Sequence, residues 1–146
     1  MKTSYLEKKH IENIHHLLQT YNLRIDDIPG KSLRLTDVEQ FFSNASEQSF
    51  IVFTKSVLSG YVTYIPDKII PGALRCEWKV ISDNLIRDIL NSAHKHHKND
   101  LVTMHLSGSV YKNIKNHLTD FSVSYVLDNY YYLDGHYENL IILKRS

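Results

Sequence analysis

Three residues, Ser82-Asp83-Asn84, separate an alternating segment (Leu74 to Ile81) from a helical pattern that begins at Leu85. A strand that turns at once into a helix is a place where a chain can hold a phosphate. The first N–H groups of a helix lack internal partners, and the helix dipole favours an anion there. Such loops usually carry glycine, which lets the backbone approach the phosphates without a Cβ in the way. This junction has no glycine and one carboxylate, Asp83. The same residues suit a helix cap, with Ser82 or Asp83 as the N-cap, and a cap uses the N–H groups that a phosphate would need. Both readings stay open on the sequence.

Other residues with chemical potential read more simply. His94, His96 and His97 sit with Lys95 and Lys98 at the end of a helical pattern. His94 and His97 share a face, but no carboxylate or cysteine completes a metal set, so no metal is expected. Cations near a helix C-terminus complement its dipole, so the run reads as a solvated helix end. The pair His15-His16 and the single His10, His105, His117 and His136 show no better ligand spacing. Cys76 lies on an apolar strand face with Leu74, Trp78 and Val80, which reads as a buried thiol rather than a nucleophile. Tyr130, Tyr131 and Tyr132 alternate across a strand. They read as core and interface rings, since no basic patch accompanies them to suggest base stacking.

The 146 residues suit one domain, 1–146, with a single sizeable core. A net charge of +1, with the histidines neutral, announces neither nucleic acid nor an anionic membrane as partner. No stretch approaches the ~20 apolar residues of a membrane span, and the first residues lack the apolar run of a signal peptide. One cysteine cannot form an internal disulfide, which fits a reducing compartment. The expectation is a cytoplasmic protein.

The elements follow from periodicity. Ile11, Ile14, Leu17 and Leu18 predict a helix from about Tyr5 to Tyr21, followed by a connector through Pro29-Gly30. A second helix is expected from Thr36, with Thr36 and Glu39 at capping-box spacing and Val38, Phe41, Phe42 and Ala45 on its buried face. Strands are expected over Ser49 to Lys55, Val57 to Ile65 and Leu74 to Ile81. In the last of these Arg75, Glu77, Lys79 and Ile81 face away from Cys76. Leu85, Ile86, Ile89, Leu90 and Ala93 predict a helix, Leu101 to Ser107 a strand, and Ser109 to Leu118 a short helix. Two closing strands join at Asp134-Gly135, a good hairpin signal. The fold class is α/β (α+β), with a mixed, mostly antiparallel central sheet flanked by helices.

That order, with the segments SGYVTYIP, LRCEWKVI, NLIRDILNSAHKH and the ending YYYLDGHYENLIILKR, resembles the GNAT superfamily of N-acetyltransferases. The likeness is best from Ser49 onward. The first ~50 residues match in outline, with the family's first strand hard to see. The resemblance implies a cleft where the fourth and fifth strands splay apart, with acetyl-CoA lying in it. It places the cofactor contacts at Val80, Ile81, Asn84, Leu85 and Ile86. The family's glycine-containing pyrophosphate loop is shortened here to Ser82-Asp83-Asn84. The resemblance also implies Glu77 as the general base that deprotonates an amine. Tyr111, about one helical turn earlier than the family's tyrosine, is implied as the acid for the leaving thiolate.

Two functions are therefore expected in competition. One is acetyl transfer from acetyl-CoA to an amine on a small molecule or a protein. The other is a catalytically inactive GNAT-fold binding or regulatory protein that has lost acetyl-CoA binding, because fold does not fix function. An aromatic-rich closing hairpin could also serve a homodimer interface.

Overall fold

The computed structural model describes residues 2–25, 32–44 and 49–145. In chain order these form β1 (Lys2–Tyr5), α1 (Ile11–Thr20), α2 (Leu35–Ser43), β2 (Phe50–Thr54), β3 (Val57–Pro66), β4 (Leu74–Val80), α3 (Ile86–His94), β5 (Val102–Ser107), α4 (Gly108–Ile114), β6 (Phe121–Leu133) and β7 (His136–Arg145). The strands make one seven-stranded sheet in the order β1-β2-β3-β4-β5-β7-β6. All neighbours run antiparallel except β4 and β5, which run parallel. The mixed, mostly antiparallel sheet is the one expected.

Period-two alternation sends successive side chains of the central strands into two separate cores. On one side Ile51 and Tyr61 meet the α1 stripe of Ile11, Ile14, Leu17 and Leu18, with Val38 of α2. On the other, Val52, Val62, Tyr64 and Cys76 meet Ile86, Ile89, Leu90 and Ala93 of α3. Each fully buried aliphatic side chain contributes roughly 1.5–3 kcal/mol, so the helices are held chiefly by these faces. Cys76 is buried, as its strand face predicts, and burial pushes its thiol well above the ordinary range. The edge strand β6 leaves Val123, Tyr125 and Val126 exposed.

Two hairpins turn on left-handed residues. Asp134 and Gly135 have φ of 51° and 86°, the geometry that a two-residue hairpin needs. Lys55 and Ser56 adopt φ of 52° and 65° with no glycine to relieve the crowding. Gly60 serves a different need. A Cβ there would lie 2.3 Å from the Lys79 carbonyl oxygen and 2.9 Å from Val80 Cγ1. Only glycine lets β3 approach the end of β4 this closely.

Several boundaries differ from the sequence reading. Tyr5 does not start a helix: Lys2–Tyr5 is a strand paired with β2, and α1 begins at Ile11 after a 3-10 turn. α2 starts at Leu35 rather than Thr36, and Asp37, not Glu39, accepts the Arg34 N–H at 3.0 Å. α4 ends at Ile114 and passes into a 3-10 turn. Pro29-Gly30 and Ala45 lie outside the described residues. In the run His94 to Lys98, Lys95, His96 and Lys98 are exposed as a solvated end requires, but His94 and His97 turn inward. His97 is 5% exposed, and the Tyr64 hydroxyl lies 2.6 Å from His94 Nδ1.

Candidate functional site

β4 and β5 pair at only two positions, Leu74 with Val102 and Arg75 with Thr103. Beyond them β4 stays on β3 as far as Gly60 opposite Val80, while β5 follows β7. The strands therefore diverge, and a cleft of about 530 Å³ opens between them. Arg75, Glu77 and Lys79 enter it from β4, and His105 and Ser107 from β5. Tyr130, Tyr131 and Glu138 close it from the final hairpin. The floor is polar because both strands turn their polar alternation to the same side of the sheet.

Glu77 stands between two cations. Lys79 Nζ lies 3.0 Å from its Oε1, an ion-pair distance reached without hydrogen-bond geometry, and an Arg75 nitrogen lies 3.8 Å from its Oε2. Glu138 is committed to the start of α4, where it accepts the Ser109 N–H and the Ser109 hydroxyl, each at 2.9 Å. The Ser109 hydroxyl is the main reason that its carboxyl sits below the usual range; the Ser109 amide and His136 add to it.

Asp67, in the turn after β3, has a side chain with no exposure. Its Oδ1 accepts the N–H groups of Ile69 and Ile70 at 2.8 and 3.0 Å. Its Oδ2 accepts the Thr103 hydroxyl and pairs with His105 Nε2 at 2.8 Å. Burial alone would raise this carboxyl, but the bonds from Thr103, Ile70, Ile69 and His105 outweigh it and hold the group below its ordinary value. Burial also dominates at His105 and lowers it, against the pull of Asp67. A neutral imidazole therefore sits on an ionised carboxylate.

The other residues named from the sequence, Val80, Ile81, Asn84, Leu85, Ile86 and Tyr111, are not in the lining of this cleft. Val80, at the end of β4, packs against the α3-side core, and Ile81 against the α1-side core. Tyr111 is half-buried on the α3 side and does not line the cleft. Asn84 is exposed, Leu85 half-buried, and the Ile86 side chain fully buried, so only its backbone is open to a ligand role. Of the two readings left open at the junction, the side-chain cap by Ser82 does not form. Ser82 Oγ donates to Asn84 Oδ1 instead, and the chain enters α3 through a 3-10 turn over Asp83–Leu85.

A pantetheine arm fits this arrangement, because the β4 edge beyond Arg75 has no strand paired on the β5 side. The junction offers little to a pyrophosphate. Asp83 is exposed at the junction, Arg87 is held by the Asn116 carbonyl at 3.2 Å, and Lys79 is held by Glu77. Among the described residues no group of three or more His, Cys, Asp or Glu is placed to hold a metal. No helix among them is long and apolar enough to cross a membrane.

The sequence reading passed over Asp67, His105 and Glu138. Asp67 looks like an ordinary turn residue between two prolines, and His105 was set aside with the unspaced histidines. A usable signal was present: Thr103, His105 and Ser107 alternate on their strand as Arg75, Glu77 and Lys79 do on theirs.

No protein-family model and no curated protein matches the sequence. Solved structures match closely in shape. An N-acetyltransferase from Staphylococcus aureus superposes over 98% of this chain and 96% of its own, with a TM-score of 0.81 at 13% identity. An acetyltransferase of the GNAT family from Streptococcus pneumoniae covers 99% and 97%, with a TM-score of 0.74 at 13% identity. A spermidine N-acetyltransferase from Vibrio cholerae covers 99% and 94%, with a TM-score of 0.75 at 16% identity. The fold is that of the GNAT N-acetyltransferases.

Proposed function

We propose that this chain uses its GNAT fold to move an acetyl group from a thioester donor of the acetyl-CoA type to an amine. The observation that carries the reading is the β4–β5 divergence, which leaves an open strand edge beside a polar floor. The donor, when bound, supplies an acyl carbon activated by its thioester. The chain's own groups do the rest. The open edge of β4 offers backbone donors and acceptors to an amide-bearing arm. Glu77 draws a cationic amine into the cleft and, in this reading, serves its deprotonation. Tyr111 on α4 lies outside the cleft lining, so the departing sulfur takes its proton from the solvent side.

The junction favours a second reading. Without a glycine loop, and with Asp83 where the diphosphate would lie, a GNAT-fold protein that binds a partner and no acetyl-CoA also accounts for the structure. Melting curves with and without millimolar acetyl-CoA, for the protein and for Asp83→Gly, separate the two. A ligand present at 100 times its Kd raises stability by ~2.7 kcal/mol. Stabilisation of either protein supports the donor site, and a larger gain in Asp83→Gly assigns the weakness to that charge. No gain in either supports the non-catalytic reading.

A further inference from the structure

We propose that His105, positioned by Asp67, is the proton acceptor for the amine in the cleft. The assignment rests on the acyl-transfer reading above and relieves Glu77 of the proton transfer.

Chemistry fixes the tautomer. An ionised Asp67 can only accept, so the ring nitrogen on it, Nε2, carries the hydrogen and donates it at 2.8 Å. The ring is neutral, so Nδ1 keeps its lone pair. Among the described residues no group bonds Nδ1, and it is not one of the buried atoms left without a partner. His105 lines the cleft, whereas Asp67 lies beneath it with no exposure. A basic nitrogen thus faces the cavity from a ring whose far side is locked.

The lock is rigid. Four donors converge on Asp67: two backbone amides of its own turn, the Thr103 hydroxyl and the His105 ring. Thr103 and His105 stand two apart on β5 and so share a face. An Asp that orients a histidine and stabilises its protonated form is a known way to make an effective base. Glu77 lacks that freedom, because Lys79 and Arg75 flank its carboxylate. Its charge serves better to hold the incoming ammonium.

The proton balance closes without a further reactant. The amine nitrogen bonds to the acyl carbon and the carbon–sulfur bond breaks. The nitrogen's proton goes to His105 Nδ1 and then to solvent, and the sulfur leaves as a thiol with a proton from the solvent side. The charged groups facing His105 are Asp67 beneath it and Arg75 and Glu77 across from it, with Lys79, Lys68 and Glu138 farther round the cleft.

The experiment measures thiol release from acetyl-CoA and from acetyl-pantetheine with butylamine, tyramine and glycine amide between pH 5 and 9. Three variants accompany the wild type: His105→Gln, Asp67→Asn and Glu77→Gln. General-base catalysis typically supplies about 10²–10⁴-fold, so His105→Gln is expected to lower kcat/KM by about 100-fold. Asp67→Asn should lower it at least tenfold and move the acid limb of the profile, which a purely structural role would not do. Glu77→Gln should act mainly on KM. The wild-type acid limb should lie below pH 6.5, because the ring must be neutral to accept a proton and burial lowers its pKa. Absence of this limb counts against His105 even if a variant does not fold, and its movement in Asp67→Asn but not in Glu77→Gln separates the histidine from the carboxylate. Transfer with His105→Gln within twofold of wild type, or a wild-type profile with no limb below pH 6.5, overturns the assignment and leaves acyl transfer standing. No transfer by the wild type from either donor overturns both.

Discussion

Acidification should destabilise this protein well before its carboxylates titrate, through His94. The Tyr64 hydroxyl and His94 Nδ1 share a hydrogen bond of 2.6 Å, and the other ring nitrogen, Nε2, is buried with no hydrogen-bond partner among the described residues. The protonated ring would need an acceptor at both nitrogens, and Nε2 has none among the described residues. Burial is the first cause that lowers His94, with Arg145 and His97 adding positive charge nearby, and its pKa falls from 6.5 to about 4. The unfolded chain therefore takes up this proton before the folded one does. The stabilisation is complete above about pH 6.5 and is lost as the pH falls toward 4. Between pH 7 and 4.5 the difference integrates to roughly 2 kcal/mol. For a chain of this length that corresponds to a fall in Tm of about 7 °C. His105 acts in the same sense, since burial lowers it too. The assay is a set of thermal melts at half-unit pH steps, with His94→Gln alongside. The variant should start less stable and show a flatter profile. A wild-type Tm that is constant or rising from pH 7 to 4.5 would refute the reasoning.

Gly60→Ala should destabilise by about 1–3 kcal/mol, the cost of overpacking, since its Cβ would sit 2.3 Å from the Lys79 carbonyl oxygen. Urea unfolding checks it, and an unchanged midpoint would mean that β3 and β4 can separate freely. Replacing Lys55-Ser56 by Asn-Gly should stabilise by about 1 kcal/mol, because both positions hold positive φ with residues that resist it. A lower Tm in that double variant would show that the turn is not the strained element it looks to be.

The second half of the chain was legible because its signals are local. Alternation marked β4, the 3.6-residue stripe marked α3, and Asp134-Gly135 marked the last turn. β1 was not legible. Its four residues carry little apolar pattern, and their partner, β2, lies some fifty positions away. The helix-end histidines misled for a related reason. A polar run usually faces water, yet His94 and His97 turn inward against Tyr64, a contact that no local spacing encodes. Glu77 could be named as a candidate because it stands on a strand that could be read by itself, and it does line the cleft. Asp67 and His105 form a pair only once β5 is laid beside the turn after β3, thirty-eight residues earlier in the chain. The junction 82–84 showed its missing glycine and its acidic residue directly, while its missing side-chain cap depended on Ser82 turning to Asn84.

The central claim is that the cleft between β4 and β5 holds a thioester donor by its pantetheine arm, with little help from a pyrophosphate site. The most direct test compares amine-dependent thiol release from acetyl-CoA and acetyl-pantetheine side by side, with one amine at fixed concentration. The account predicts transfer from both donors, with kcat/KM values within about tenfold of each other, a difference of about 1.4 kcal/mol. Release from neither donor above the uncatalysed rate would contradict the claim.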